Sequence, residues 1–380
     1  LATKLEELVK KFNSEHEGTI LVTGSITYNI ERIPFSSPRA NYMTYGGIPL
    51  GRVIEFAGEE NGGKTTTALD IVSNAQKYFQ QEWEEEVERL TNSKNLSKAQ
   101  TLRLQYLNER GPRTVLWIDS ENTFDDTWAE KLGVNLNILL KMTPQQEYAE
   151  EIFEMALALM DSGDIGLVVL DSLGILMSKQ QYEKNVEDKT YGGIAMALTR
   201  FSKEACMICA KQKCSFIGIN QLRDDMNSMY GGTTTTGGRA WKHNCSLRIM
   251  FRKGNLFDEK YKDIPRKSET AVGNIVEMQI VKTKVCKPDR LKGDYSLLYE
   301  SGVDALHDLI DLSISYGLIN KSGAWFTFVE PETGELVMDV NGDNVKLQGE
   351  LNVRKYLLEN EELTQKYYSE IHKICTTQEN

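Results

Sequence analysis

The chain has 380 residues, 40% hydrophobic and 26% charged, which is enough to bury a large core and excludes wholesale disorder. A formal charge of −11 argues against passive binding of nucleic acid over the whole surface, while leaving room for a local basic groove. No apolar run approaches the ~18 residues of a membrane span and no secretory signal pattern is visible, so a membrane partner is not expected.

The chain starts at Leu1 rather than Met, and residues ahead of it are expected to be missing. Leu5, Leu8, Val9 and Phe12 then fall at helical spacing on a polar background, predicting a short amphipathic helix that packs on its own chain or on a neighbour. Residues 18–37 read as a linker. Residues 52–57 form a buried strand, and the stretch Gly58-Glu59-Glu60-Asn61-Gly62-Gly63-Lys64-Thr65-Thr66 follows, fitting G-x-x-x-x-G-K-[ST] between that strand and a helix.

In this setting the glycines let backbone N–H groups converge on phosphate, and the helix N-terminus adds partial positive charge. Lys64 would reach the outer phosphates and Thr65 would take a Mg2+ position. This is the sequence of a nucleoside triphosphate site.

Residues 80–112 are acid-rich, with Glu82, Glu84, Glu85, Glu86 and Glu88, and are expected to form an exposed helical hairpin inserted in the core. Strands are predicted at residues 114–119, 165–172 and 215–221, with helices near 147–160 and 194–213 between them. Apolar strands alternating with helices indicate an α/β fold with a mostly parallel sheet covered by helices. Ligands bind such sheets at the carboxyl ends of the strands, where Glu121, Asp171 and Gln221 all lie.

Asp171, after four apolar residues, suits a Mg2+ carboxylate. Glu121 is placed to take a proton from an attacking water, with Asp119 as second choice. Gln221 offers an amide to the outermost phosphate. Residues 223–239, rich in glycine and threonine, lack apolar periodicity and are expected to be a mobile loop able to meet a phosphate chain. Cys206 and Cys209 lack a second pair to complete a metal site and are expected to be free thiols in a reducing, cytoplasmic setting. Residues 246–303 read as alternating strands, and the last section mixes short helices with a hairpin at 325–338. The expected organisation is 1–39 as N-terminal helix and linker, 40–303 as core, and 304–380 as a small α/β domain.

The chain resembles the bacterial RecA recombinase family in Gly46-Gly47-Ile48-Pro49-Leu50-Gly51-Arg52 leading into residues 58–66. It does so again in Ile118-Asp119-Ser120-Glu121, Leu170-Asp171-Ser172, Ile219-Asn220-Gln221-Leu222-Arg223, Thr234-Thr235-Thr236-Gly237-Gly238 and Val281-Lys282-Thr283-Lys284. These occur in family order over roughly residues 40–330, and the stretch from Gly317 to Trp325 extends the likeness into the C-terminal lobe.

The resemblance implies a RecA-like ATPase core, and a helical filament of the protein with itself on single-stranded DNA that pairs with homologous double-stranded DNA. ATP and Mg2+ would lie between adjacent protomers, docked through the N-terminal helix. It implies that Glu121 activates water, that Glu60 lies near the γ-phosphate, and that Gln221 couples that phosphate to the DNA loop. Lys282 and Lys284 would neutralise charge in a neighbour's site.

Asp125, Trp128 and Tyr299 match adenine-side positions. Lys203, Arg223, Met226, Gly237, Gly238 and Arg239 match DNA contacts. Met196, Asp225, Arg239 and His243 depart from the family pattern, as does the acidic insertion, and point to a divergent member, with a bacteriophage origin, and hence the host cytoplasm, as one reading. A hexameric motor of the same core and a DNA-binding filament without strand exchange are the alternatives.

Overall fold

The computed structural model describes residues 8, 11, 14, 30–183, 193–224, 232–265 and 268–377. The chain divides into two compact units, 1–31 and 32–380. In the first, Leu8 is helical and exposed, and the Ser14 hydroxyl donates to the Lys11 carbonyl. Leu5, Val9 and Phe12 of the expected apolar face lie outside the described residues.

The second unit opens with an antiparallel pair, β1 (Arg32–Ile33) and β2 (Ile48–Pro49), on either side of helix α1 (Pro38–Thr44). Ser37 caps that helix by accepting from the Ala40 N–H.

The central sheet is built from β3 (Val53–Gly58), β4 (Thr114–Asp119), β5 (Leu139–Met142), β6 (Ile165–Asp171), β7 (Ser215–Asp224), β8 (Thr233–Thr235), β9 (Leu247–Phe257), β10 (Asp263–Ile264), β11 (Gly273–Thr283), β12 (Lys292–Leu298) and β13 (Gly302–Val303). Its order is β13-β12-β11-β9-β3-β7-β6-β4-β5. The stretch from β9 to β5 is parallel, and β11, β12 and β13 continue it antiparallel. β3 is therefore a central strand, with β7 on one side and β9 on the other, and every residue of β3 and β6 is buried.

Helices cover the sheet: α2 (Lys64–Thr91), α3 (Lys98–Arg110), α4 (Asp126–Lys131), α5 (Ala149–Asp161), α6 (Lys179–Tyr182), α7 (Gly193–Gln212) and α8 (Gly238–Asn244). The α2 side chain Phe79 packs against Gly166 of β6, where a Cβ would stand 2.3 Å from the ring. Phe153 of α5 stacks on Phe201 of α7 at 4.5 Å, and Phe201 meets Phe216 of β7 edge-on at 4.8 Å.

Beyond the sheet, α9 (Ala305–Ser315), α10 (Glu350–Glu359) and α11 (Glu361–Thr376) enclose a separate apolar cluster with β14 (Ile319–Ser322), β15 (Trp325–Phe328) and β16 (Lys346–Gln348). β15 pairs with β14 and with β16 in the small sheet, and the hairpin expected at 325–338 closes through an antiparallel bridge between Val329 and Leu336, with the Glu330 N–H on the Glu335 carbonyl (2.8 Å) and the Val337 N–H on the Phe328 carbonyl (2.9 Å).

Two local readings change. The first arm of the acidic insertion is not a separate helix but the continuation of α2, which runs unbroken for 28 residues. Arg113 braces it, donating to Glu82 at 2.6 Å and lying over the Phe79 ring at 4.4 Å, while the Trp83 indole N–H donates to the Leu107 carbonyl of α3. The stretch 223–239 is also not all loop. β7 runs on to Asp224 and pairs antiparallel with β8. Backbone hydrogen bonds pair that ribbon and polar side chains (Asn220, Lys242 and Arg248) support it, so no apolar pattern announces it.

Candidate active site

The phosphate loop turns between β3 and α2, and its glycines are there for steric reasons. A Cβ on Gly58 would lie 2.2 Å from the Phe251 carbonyl oxygen, and one on Gly62 would lie 3.1 Å from the Glu59 carbonyl oxygen. Gly63, the N-cap of α2, has φ +90°, which a side chain would strain. The result is a cradle of backbone at a helix N-terminus.

The Lys64 ammonium is turned back onto the loop, donating to the carbonyls of Gly58 (3.1 Å) and Glu59 (2.6 Å). Burial lowers its pKa, against the nearby carboxylates of Asp171 and Glu121, which raise it. The Thr65 hydroxyl donates to Asp171 Oδ2 at 2.7 Å. Burial pushes the Asp171 carboxyl up to about 6, although the Thr65 hydrogen bond works to lower it. A buried ammonium and a buried carboxyl, each displaced from its ordinary pKa, fit a site that receives a polyanion together with a cation.

The carboxyl ends of the parallel strands bring the other polar groups together. Asp119 faces Asp171 across β4 and β6, but accepts the backbone N–H groups of Thr123 (3.2 Å) and Phe124 (3.0 Å), which commits it to holding the turn. Glu121, just beyond, accepts from the Ser172 hydroxyl and from the Gln221 amide at 3.2 Å. Glu59 and Glu60 are exposed at the tip of the loop.

Beside the loop lies a cavity of about 390 Å³, lined by residues 61–66 and by Trp128, Lys253, Asn274, Leu297 and Tyr299. Asp125 does not line it; its carboxylate accepts the Trp128 N–H at 3.0 Å and so caps α4, setting the position of the Trp128 ring. The Trp128 indole N–H donates to Thr66 Oγ1 at 3.4 Å.

Lys253, Asn274 and Leu297 were not singled out in the sequence. They come from β9, β11 and β12, and Lys253 Nζ lies 5.9 Å from the centre of the Tyr299 ring. Only the pairing of distant strands delivers them, so no local motif could have pointed to them.

Lys282 and Lys284 are not at this loop. Lys282 pairs in register with Arg248, at the end of β11 opposite Asn274, eight residues or roughly 25 Å along the strand. Lys282 donates to the carbonyls of Lys242 and His243, both at 2.6 Å, and Lys284 to that of His243 at 2.8 Å, which places both at the carbonyl end of α8. Burial lowers the Lys282 pKa, and the neighbouring Lys284 charge lowers it further.

Of the expected nucleic-acid contacts, Lys203 and Arg239 are exposed, on α7 and α8. Arg223 donates to the Gly174 carbonyl at 2.6 Å, Gly237 caps α8 with φ +105°, and Gly238 begins that helix. Met226 and Asp225 lie outside the described residues. Cys206 and Cys209 are free, and burial raises both thiols.

Residues 1–82 and 94–304 match the family described as the RecA N-terminal domain, and residues 307–375 match the RecA C-terminal domain. Residues 83–93, in the extended part of α2 and the turn after it, fall between the matched stretches. A protein named Protein RecA from Chlorobium limicola is 30% identical over 355 residues, covering 93% of this chain and 85% of its own. The Protein RecA of Chlorobaculum tepidum is 31% identical over 376 residues (98% and 91%), and that of Chlorobaculum parvum 32% over 361 residues (94% and 87%).

Proposed function

The chain belongs to the RecA family, and on that premise we propose that it is an ATP-dependent DNA recombinase, assembling as a helical filament on single-stranded DNA and catalysing homologous pairing and strand exchange. The observation that carries the reading is the run of contacts from Thr65 of the phosphate loop to Asp171, and from the adjoining Ser172 to Glu121, which accepts in turn from Gln221 on the strand that leads into the polar loop.

ATP is the substrate. In this reading residues 58–66 hold its phosphates, while Trp128 and Tyr299, with Asp125 behind Trp128, flank the base. Thr65 and Asp171 would hold Mg2+, which when bound neutralises phosphate charge. Glu121 takes the proton of the attacking water, and Gln221 exchanges its bond to Glu121 for one to the γ-phosphate, reporting the nucleotide state along β7. Glu60 closes over the outer phosphate.

Lys282 and Lys284, remote from their own loop, serve the neighbouring protomer's site as an arginine finger does. Lys203, Arg223, Gly237, Gly238 and Arg239 contact the DNA, Met226 wedges between base steps, and the second DNA partner is a homologous duplex. Residues 1–39 act as the arm that docks on a neighbour, 40–303 as the ATPase core and 304–380 as the small C-terminal domain. The working compartment is the cytoplasm, the host's if the chain is encoded by a bacteriophage. No helix among the described residues is long and apolar enough to cross a membrane.

A strand-exchange assay tests the reading. Circular single strands and ATP should yield joint molecules with a homologous linear duplex and none with a heterologous one. Closed rings on DNA under electron microscopy, without exchange, would favour the hexameric motor; filaments without exchange would favour the regulatory alternative.

A further inference from the structure

Three residues before the phosphate loop, on β3, Glu55 is wholly buried with its carboxylate ringed by donors. Oε1 accepts from the Asn220 amide (2.9 Å) and the Trp241 indole N–H (2.8 Å), and Oε2 accepts from Arg248 Nε (2.5 Å). These donors come from β7, α8 and β9.

Each donor leads towards the polar loop. Asn220 precedes Gln221, and its amide also donates to the Thr236 carbonyl at 2.9 Å. Arg248 donates to Thr235 Oγ1 at 3.4 Å. Trp241 belongs to α8, whose carbonyl end holds Lys282 and Lys284.

The backbone ladders already tie β7 and β9 to β3. What Glu55 adds is a side-chain tie to α8 through Trp241 and, through Asn220 and Arg248, a second hold on the returning arm beside its backbone pairing with β7. A buried carboxylate loses heavily when a donor leaves, so α8 and the arm are held to the strand that feeds the phosphate loop. The hub also has spare capacity. Among the described residues Asn220 Oδ1 and Thr236 Oγ1 are buried without a hydrogen-bond partner, so a second arrangement of the arm can be stabilised by pairing them.

We propose that Glu55 is a positioning residue for the coupling of nucleotide and DNA: through Asn220, Trp241 and Arg248 it seats α8 and the arm carrying Thr235 and Thr236 in register with the phosphate loop. This rests on the recombinase reading.

The test uses the full chain, a fluorescent oligothymidylate and a non-hydrolysable ATP analogue. Oligonucleotide affinity is measured with and without the analogue, and analogue affinity without DNA. Trp241→Phe keeps an aromatic ring, removes the indole N–H donor and gives up some packing on Gly218; Glu55→Gln removes the charge. The analogue should tighten DNA binding by the native chain, and in Trp241→Phe that tightening should shrink about tenfold while DNA-free analogue affinity stays within about twofold.

Unchanged tightening in Trp241→Phe overturns the proposal. So does a parallel fall of both affinities, the mark of a merely structural role. If Glu55→Gln fails to fold, Trp241→Phe still decides. If the native chain itself shows no tightening, the recombinase reading fails, an outcome distinct from failure of the hub alone.

Discussion

The Gln221 amide donates to the Glu121 carboxylate across 3.2 Å, joining β7, where its parallel pairing with β3 ends, to the segment after β4. Glu121 also accepts from Ser172, and the competing carboxylate Asp119 is occupied by two backbone N–H groups. In the proposed reading Glu121, held by side-chain donors rather than by backbone, is the carboxylate that serves the attacking water. Replacing Glu121 with Gln should lower ATP turnover about 10²–10⁴-fold while nucleotide binding persists, read by steady-state hydrolysis beside a nucleotide-binding titration. Hydrolysis at the native rate would assign the base elsewhere.

DNA binding by a chain of charge −11 has to rely on local basic groups, and Arg239 is exposed at the start of α8. In the presence of nucleotide, affinity for single-stranded DNA should fall steeply with salt. Arg239→Ala should weaken it and reduce the slope of log affinity against log salt by about 0.7, one phosphate contact. An unchanged slope would remove Arg239 from the interface.

Asp308 of α9 is wholly buried, accepts from the Ser37 hydroxyl, and has its carboxyl pushed well above the ordinary value of 3.8 by that burial. The folded chain therefore holds this proton at pH values where the unfolded chain has released it. Stability from this group is greatest below the unfolded pKa and declines as pH rises from there towards the folded pKa. Asp308→Asn, which keeps the acceptor without the charge, should unfold at a higher temperature than the native chain at pH 8 and lose that advantage near pH 4. The same melting difference at both values would deny Asp308 this role.

The legible half of the site is the half made by single strands and their ends. A glycine loop between β3 and α2, and polar residues closing apolar runs at Asp171 and Gln221, are local patterns. Lys253, Asn274 and Leu297 were hidden because antiparallel strands far apart in the chain carry them to the cavity. Glu55 was hidden for another reason: a carboxylate in an apolar strand declares its importance only when Asn220, Trp241 and Arg248 are seen around it. β8 escaped because its pairing with β7 rests on backbone groups, and threonines and glycines otherwise read as loop.

The central claim is that one protomer's lysines complete another's phosphate site, and mixing two inactive variants tests it most directly. Lys64→Ala spoils the loop and keeps the lysines; the double variant Lys282→Ala, Lys284→Ala does the reverse. Each alone should lose DNA-stimulated ATPase, by about 10³-fold or more for the lysine variant. An equal mixture should recover about a quarter of the native rate, the share of head-to-tail interfaces that random assembly leaves with both halves intact. A mixture as inactive as its components would show that the lysines do not act across the interface.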